Sequence, residues 1–561
     1  MIELVRRPRV LSIVAPVAAL FFCSVAISSC GGDGDSATSE LASWMPADSV
    51  VYIEGAIKPE GELADNVDQI SNKLAGESLG DSLTTLLDDS GESDIDFETD
   101  VEPWLGESAA LAVTADLSGY STGNPLEMVS DTGSLDSSGE GKTDSTEVKL
   151  VVETTDSDAA QSYVDKDAAG RSDSTKGEYE GTAYTVSDSG SSVLGVSDDL
   201  LIAADSVAGF ESMIDAHGGD SLADTDAFSD LADKAADGSL ANLFATSAPV
   251  VDAVSGSGTT DESGSGAAGD SGGETGSGAD PVYEALGIDP QNTGVLLSLI
   301  PGDNEISLQG VSNAGSEFVN GDPGALIETF PADTVFATGS DGVGANLRKI
   351  IDAVDEQGIE GALKPGELQK MIDEASGSGV DLNALIDSLE TAGMFVSGNS
   401  VDSLGGALVV TSSDLKPLEN SLALISTLIS QSGDAQVRPL TGNVTGFSVR
   451  TPELPGRPVF VAIKGDRFVV AIGARAARQA LGGGDSTLAD SEAYQAAVSS
   501  LSGDGIDLFA DPPALGKLIR DAAGRQPEAV KAVEVMNKFE YIGAGGSDED
   551  GTFEFNLGLG N

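Results

Sequence analysis

Several residue types that carry protein chemistry are nearly missing from this chain of 561 residues. It holds one histidine, two cysteines and two tryptophans. A lone imidazole removes most histidine-based acid–base and metal chemistry. Two thiols exclude a disulfide scaffold and thiolate metal clusters. Bases are scarce as well: 28 Lys and Arg stand against 93 Asp and Glu, a net charge of −65. Nucleic acid is excluded as a partner, because its binding is driven by counterion release onto a cationic surface. An anionic leaflet would repel the body too. The acidic excess fits solubility at an exposed surface or adaptation to high salt. Aromatics reach only 5%, yet hydrophobic residues make up 40%, and there are 70 glycines. That apolar share is ordinary for globular proteins, and the length is ample for more than one core.

Long clean apolar runs are also lacking. The longest, Val10 to Ile27, is broken by Ser12, Pro16 and Ser24. It is marginal against the ~20 apolar residues of a permanent span. Arg6, Arg7 and Arg9 precede it, so residues 1–29 are expected to be a secretory signal. The signal closes with Ile27-Ser28-Ser29-Cys30, which resembles the lipobox of bacterial lipoproteins. The resemblance implies cleavage just before Cys30, a diacylglycerol on its thiol, and a membrane as partner through that lipid. Cys23 would leave with the signal. Residues 30–43, opening on Gly31-Gly32-Asp33-Gly34, read as a flexible tether. Two or more acyl chains, at ~0.8 kcal/mol per buried CH₂, anchor stably.

The body reads as a duplication. Met45-Pro46-Ala47-Asp48-Ser49-Val50-Val51 returns as Phe330-Pro331-Ala332-Asp333-Thr334-Val335-Phe336. Leu222-Ala223-Asp224-Thr225-Asp226-Ala227-Phe228 returns as Leu488-Ala489-Asp490-Ser491-Glu492-Ala493-Tyr494, and Leu243-Phe244-Ala245 as Leu508-Phe509-Ala510. The matches are ordered and nearly collinear, which marks two related halves. The first repeat is expected over residues 44–313 and the second over 329–561, with a linker at 314–328. Two acidic Gly/Ser-rich stretches, about 117–146 and 255–279, are expected as disordered insertions in the first half, since they lack the apolar residues to offset ordering entropy.

Each half repeats an order of elements. A strand follows the Pro-Ala-Asp turn, as in Val50–Ile57, and a helical stretch follows it, Leu63–Leu74. Val148, Leu150 and Val152 alternate with Glu147, Lys149 and Glu153 as in a strand. Val459–Ile463 and Phe468–Ile472 flank Lys464-Gly465-Asp466-Arg467, a hairpin whose counterpart is Val193–Val196 with Leu200–Ala204. A helix is expected just after Asp205 and after Gly473. Hairpins and helices without strict βα alternation predict an α+β fold, each half an antiparallel sheet with packed helices.

The Pro-Ala-Asp strand opening, Pro103-Trp104-Leu105-Gly106 and the hairpin-helix ending resemble the bacterial domain-of-unknown-function family catalogued as 3352. The resemblance implies no activity. Ser403-Leu404-Gly405-Gly406 reads as the second-half match of Pro103-Trp104-Leu105-Gly106. Its lack of an aromatic makes Trp104 a core anchor at a strand entrance rather than a catalytic residue.

No catalytic, cofactor-binding or metal-ligating residue emerges; Cys30 is the one assigned site. Gly269-Asp270-Ser271-Gly272-Gly273 spells a serine-protease nucleophile string inside a tract that generates such strings by chance, and its only available base, His217, stands at a helix end where its positive form favours the dipole. Gly141-Lys142-Thr143 lacks the first glycine of a phosphate loop, and Gly342-Val343-Gly344 lacks the third glycine of a dinucleotide fingerprint. Asp548-Glu549-Asp550-Gly551 starts like a calcium loop but has Phe553 where the turn glycine belongs, so it reads as a hairpin turn. Asp94, Asp96, Glu98 and Asp100 alternate as if along a solvated strand edge. The expectation is a non-enzymatic, lipid-anchored binding or envelope component, with no cofactor and no nucleic acid. The alternatives are a carrier of an apolar ligand held between sheet and helices, or a carboxylate-based hydrolase.

Overall fold

A computed structural model describes residues 40–560 apart from 75, 77–96, 116–145, 171–173, 188–191, 247–292, 314–320, 359–363, 377–380, 432–435, 452–453, 455, 485, 504, 525 and 548–550. Both expected insertions, most of the tether and Cys30 therefore lie outside the described residues or almost wholly so. The chain divides into two compact units. Unit 1 runs to Ala279 and adds Asp289–Asp303 and Leu308–Ala314; unit 2 comprises Asp280–Ile288, Asn304–Ser307 and Gly315–Asn561. Both are α+β, with strands that pair antiparallel, as the hairpin pattern predicts.

Unit 1 opens on the 3₁₀ turn Leu41–Trp44, followed by β1 (Val51–Ala56) and α1 (Gly61–Leu74). A π-helical turn, Phe97–Val101, leads into β2 (Leu105–Ala115). Next come β3 (Thr146–Thr154), α2 (Ser157–Gly170), β4 (Thr175–Tyr179), β5 (Thr182–Val186), β6 (Val193–Ser197), β7 (Leu200–Ala204), α3 (Val207–Gly218) and α4 (Asp226–Ala232). β8 (Ala241–Thr246), β9 (Gly294–Gly302) and β10 (Glu305–Ser312) complete the order, with the first residues of β10 assigned to unit 2. The sheet runs β9-β8-β1-β2-β3-β7-β6-β5-β4.

Unit 2 begins with α5 (Gly324–Ile327), inside the stretch read as linker; its Leu326 and Ile327 belong to the core of the unit. It continues through β11 (Thr334–Ser340), α6 (Val343–Gln357), α7 (Glu367–Ser376), α8 (Leu382–Ser388), β12 (Leu389–Ser397), β13 (Gly405–Ser412) and α9 (Lys416–Gln431). Then follow β14 (Gln436–Pro439), β15 (Thr445–Arg450), β16 (Val459–Lys464), β17 (Arg467–Ile472), α10 (Ala474–Ala480), α11 (Glu492–Ser500), β18 (Leu508–Ala510), α12 (Pro512–Ala523), α13 (Pro527–Met536), β19 (Phe539–Ser547) and β20 (Thr552–Leu559). The sheet runs β19-β18-β11-β12-β13-β17-β16-β15-β14, with β20 outside β19. Strand for strand, this is the order of unit 1.

Local chemistry repeats as well. Ser221 and Asp224 form a capping box at Leu222–Asp224, and Thr487 and Asp490 form one at Leu488–Asp490. Leu222 N donates to Met45 O at 2.8 Å, and Leu488 N to Phe330 O at 2.7 Å. The two-residue turns of β6–β7 and β16–β17 each place their first residue in the left-handed region, Asp198 at φ 50° and Gly465 at φ 66°. Such turns match the strand twist, and Gly and Asp are the residues that tolerate them. The helices after the hairpins start at Val207, capped by Ser206, and at Ala474.

Two readings need correction. Phe97–Val101 is a helical turn, not a strand edge: the turn lets the Asp100 carbonyl accept the Trp104 indole N–H at 2.6 Å. Asp94 and Asp96 lie outside the described residues. Ser403-Leu404-Gly405-Gly406 is not the partner of Pro103-Trp104-Leu105-Gly106, because it leads into β13, whereas Trp104 leads into β2. Strand pairing aligns Leu105, opposite Thr154, with Leu389, opposite Ser412. Trp104 therefore corresponds to Ser388. The carbonyls of the two accept from Thr155 N at 2.8 Å and Ser413 N at 3.0 Å. The glycine pair had drawn the comparison to the wrong strand.

Candidate functional site: an open apolar sheet face

In unit 1 both faces of the sheet are covered. Alternation sends Tyr52 to one core and Val51 and Ile53 to the other. The second core also takes Leu111 from β2 and Leu150 from β3, which face each other in register and are 4% and 1% exposed. α2 closes that face with Ala160, Tyr163 and Val164. Trp104 fills the remaining space against Tyr163, ring centroids 5.3 Å apart. The expected role of Trp104 as a core anchor at a strand entrance holds.

Unit 2 covers one face only in part. Phe395, Ala407, Val409, Val469 and Ala471 point into its main core and are buried. The intervening residues point the other way. Met394 and Leu408 occupy the places of Leu111 and Leu150, again opposite each other, yet each is 43% exposed. Ile472 on β17 is exposed too. The next residue in that row, Val470, pairs with Leu408. Among the described residues, the large hydrophobics that are 37% or more exposed all lie in unit 2.

Two features leave the face open. α9, the counterpart of α2, packs over β14 and β15, where Leu422 joins Phe447, Val449 and Ile463 in a small separate core. α2 lies over β7, β6 and β5, so α9 sits about one strand further from the centre of its sheet. Ser388 stands in place of Trp104; it bonds to Ser412 Oγ at 2.8 Å and contributes no ring. α6 packs on β12 and is tied to α8 by the Arg348 guanidinium, which donates to Asp387 at 2.7 Å and to the Asn383 side chain at 2.8 Å. Apolar side chains remain exposed on these helices: Leu347 and Ile350 on α6, Leu424 and Ile425 on α9. The floor strands β12, β13 and β17 are each paired on both sides, so no edge is free for strand addition.

Ionisable groups are buried instead in unit 1. The Tyr52 hydroxyl donates to Glu54 Oε2 at 2.6 Å. Burial pushes the Glu54 carboxyl up to about 8; the Tyr52 hydrogen bond opposes the shift, and the charges of Glu153 and Glu40 add to it. Glu153 is also raised, first by burial, although it accepts from Ser108 N at 2.9 Å. Lys149 is buried and donates to Thr114 Oγ1 at 2.7 Å and to Glu147 at 2.9 Å. A protonated glutamate among carboxylates has acid–base potential, but Glu54 is only 5% exposed and bonded to Tyr52. The counterparts of Tyr52, Glu54 and Lys149 in unit 2 are Ala337, Gly339 and Ala407.

His217 ends α3 as expected, stacked on Trp44 with centroids 3.7 Å apart. Ser547 pairs with Thr552 across the hairpin whose turn residues 548–550 lie outside the described residues. The strings at 141–143 and 269–273 lie outside them too. No group of three or more His, Cys, Asp or Glu able to hold a metal occurs among the described residues, and none of their helices is long and apolar enough to cross a membrane. The open face was missed in sequence. Met394-Phe395-Val396 and Ala407-Leu408-Val409-Val410 are apolar at successive positions, but so are Ala109–Val113 and Leu150–Val152 of the covered unit 1, so the pattern does not tell an open face from a closed one.

A protein-family model described as "Protein of unknown function (DUF3352)" matches residues 10–523. No curated protein matches. Among solved structures, crystal form I of TP0453 is similar at 11% identity over 51% of this chain and 83% of that one, with a TM-score of 0.23. Crystal form III of TP0453 gives 10% identity over 50% and 82%, also at 0.23. Likeness at that level carries no argument about this chain.

Proposed function

Because the chain belongs to the DUF3352 family, whose function is unknown, we propose a reading from its own residues: a lipid-anchored, extracytoplasmic, non-enzymatic protein that binds an apolar partner on the open face of unit 2. The contrast between Met394 and Leu408, each 43% exposed, and their buried counterparts Leu111 and Leu150 carries this reading. A monomeric soluble surface rarely leaves a contiguous apolar patch uncovered without a partner for it. The buried Tyr52–Glu54 pair is, in this reading, part of the fold rather than a hydrolytic centre.

Anchoring rests on Cys30, the last residue of the lipobox-like run. Cys30→Ser is expected to abolish both processing and incorporation of radiolabelled palmitate; undiminished label in the variant would overturn the anchor. The shared strand order, capping boxes and hairpin turns support a duplication as the origin of the two units. In that reading one copy has both sheet faces covered and the other leaves one open. Binding is tested with the uncharged dye Nile red: fluorescence enhancement by the full mature chain, lost in Leu408→Lys, supports the face, and equal enhancement by both proteins removes it.

A further inference from the structure

A binding surface on the open face of unit 2 still lacks a named occupant. Resting on that reading of the face, we propose that the occupant is the acyl chain of a membrane lipid, taken from the leaflet in which the protein is anchored.

The floor is apolar apart from the Thr338 hydroxyl at the end of one row. Its central row is Thr338, Met394, Leu408 and Val470, in hydrogen-bonded register. In the adjoining row Val396 and Ile472 flank Gly406, which leaves the floor without a side chain between them. The floor strands have no free edge. An extended peptide laid on this surface would bury its own N–H and C=O groups without partners, each at a cost of ~1–3 kcal/mol. An acyl chain has no such groups and gains ~0.8 kcal/mol per CH₂ removed from water.

Charge narrows the partner further. Residues 314–561 hold 17 of the chain's 28 bases but only 35 of its 93 acids, a net −18. Residues 30–313 hold 8 bases and 57 acids, a net −49. A second copy therefore brings strong like-charge repulsion, while the half that bears the open face is the one least repelled by a lipid surface. The tether sets the distance. Ten residues, Gly31–Glu40, separate the lipidated Cys30 from Leu41, and fully extended they reach at most ~35 Å. Tethered that close, the body meets leaflet lipid at high effective concentration.

The test uses the full mature chain carrying Cys30→Ser, so that no attached lipid inserts, and vesicles of dioleoylphosphatidylcholine as the probe. The protein is expected to float with the vesicles. Leu408→Lys and Met394→Lys are each expected to weaken partitioning at least ~10-fold, since a cation on an apolar floor must be desolvated, with melting temperature unchanged because both sites are already exposed. Val498→Lys, on an exposed position of α11 off the floor, is expected to float like the parent. Absence of flotation, or flotation unaffected by Leu408→Lys, overturns the acyl assignment. If Nile red still binds in a Leu408-dependent way while phosphatidylcholine neither binds nor competes, the acyl assignment falls and the binding surface stands. A concentration-dependent dimer abolished by Leu408→Lys, without lipid binding, overturns the proposal in favour of a second copy.

Discussion

Leu150 and Leu408 are the same residue type at the same place in the same strand order, and one is 1% exposed while the other is 43% exposed. The difference does not come from the sheet, whose pairing is shared. It comes from what lies on the sheet. In unit 1 a tryptophan and a helix close the second face; in unit 2 the equivalent helix sits further along, over β14 and β15, and the tryptophan is Ser388. A scaffold of paired backbone can thus be kept while its covering layer is changed, since register depends on the strands and burial on the elements above them.

The comparison can be broken most sharply at Trp104. Trp104→Ala removes the ring that closes unit 1 and is expected to cost ~3–5 kcal/mol, whereas Ser388→Ala, which loses the bond to Ser412, is expected to cost ~1 kcal/mol. Urea unfolding reads the first cleanly: Trp44 and Trp104 are the only tryptophans, both in unit 1, and Trp44 remains as the fluorophore. Similar losses for the two variants would contradict the assigned difference in packing. The next test is Leu111→Ala against Met394→Ala. The buried leucine is expected to cost ~2–5 kcal/mol and the exposed methionine less than ~1 kcal/mol, measured by circular dichroism through the unfolding transitions.

Glu54 sharpens the comparison through pH. Its carboxyl is held at about 8 when folded, above the ordinary value of 4.5. The folded state therefore binds the proton more tightly. The associated stability is fully present below about pH 4.5 and is lost as pH rises to about 8. The tryptophan-detected stability of unit 1 should fall by as much as a few kcal/mol across that window, and Glu54→Gln should flatten the fall. An equally steep fall in the variant would remove Glu54 as its cause. The smallest expected effect concerns the shared capping boxes. Ser221→Ala and Thr487→Ala should each cost ~1 kcal/mol, and a clear inequality between them would weaken the equivalence of the two turns.

Much of the fold was legible in the sequence because its signals are local. The two-residue turns need Asp198 and Gly465, so the hairpins could be placed to within a residue. The strings Leu222-Ala223-Asp224 and Leu488-Ala489-Asp490 announced the same turn twice. The Pro-Ala-Asp strands kept their alternation. Trp104 was misaligned because Leu-Gly is too short a string to carry a register; the pairing of Leu105 and Leu389 is a long-range fact. The open face was hidden for the same reason. Met394 and Leu408 look like core residues in sequence; the position of α9 and the loss of the aromatic at Ser388 leave them exposed. The buried Tyr52–Glu54 pair was likewise unread, since one acid in 93 gives no sign of which is enclosed.

The central claim, an apolar face closed in unit 1 and open in unit 2, is tested most directly by thiol labelling. In a chain produced from residue 30 onward, Cys30→Ser leaves no cysteine, so Leu111→Cys and Met394→Cys each supply a single thiol. A maleimide should label Cys at 394 in the folded protein at a rate near that of the unfolded chain, and phosphatidylcholine vesicles should slow it. The same reagent should leave Cys at 111 unlabelled until urea unfolds the unit. Equal protection of both thiols in the folded protein would contradict the account.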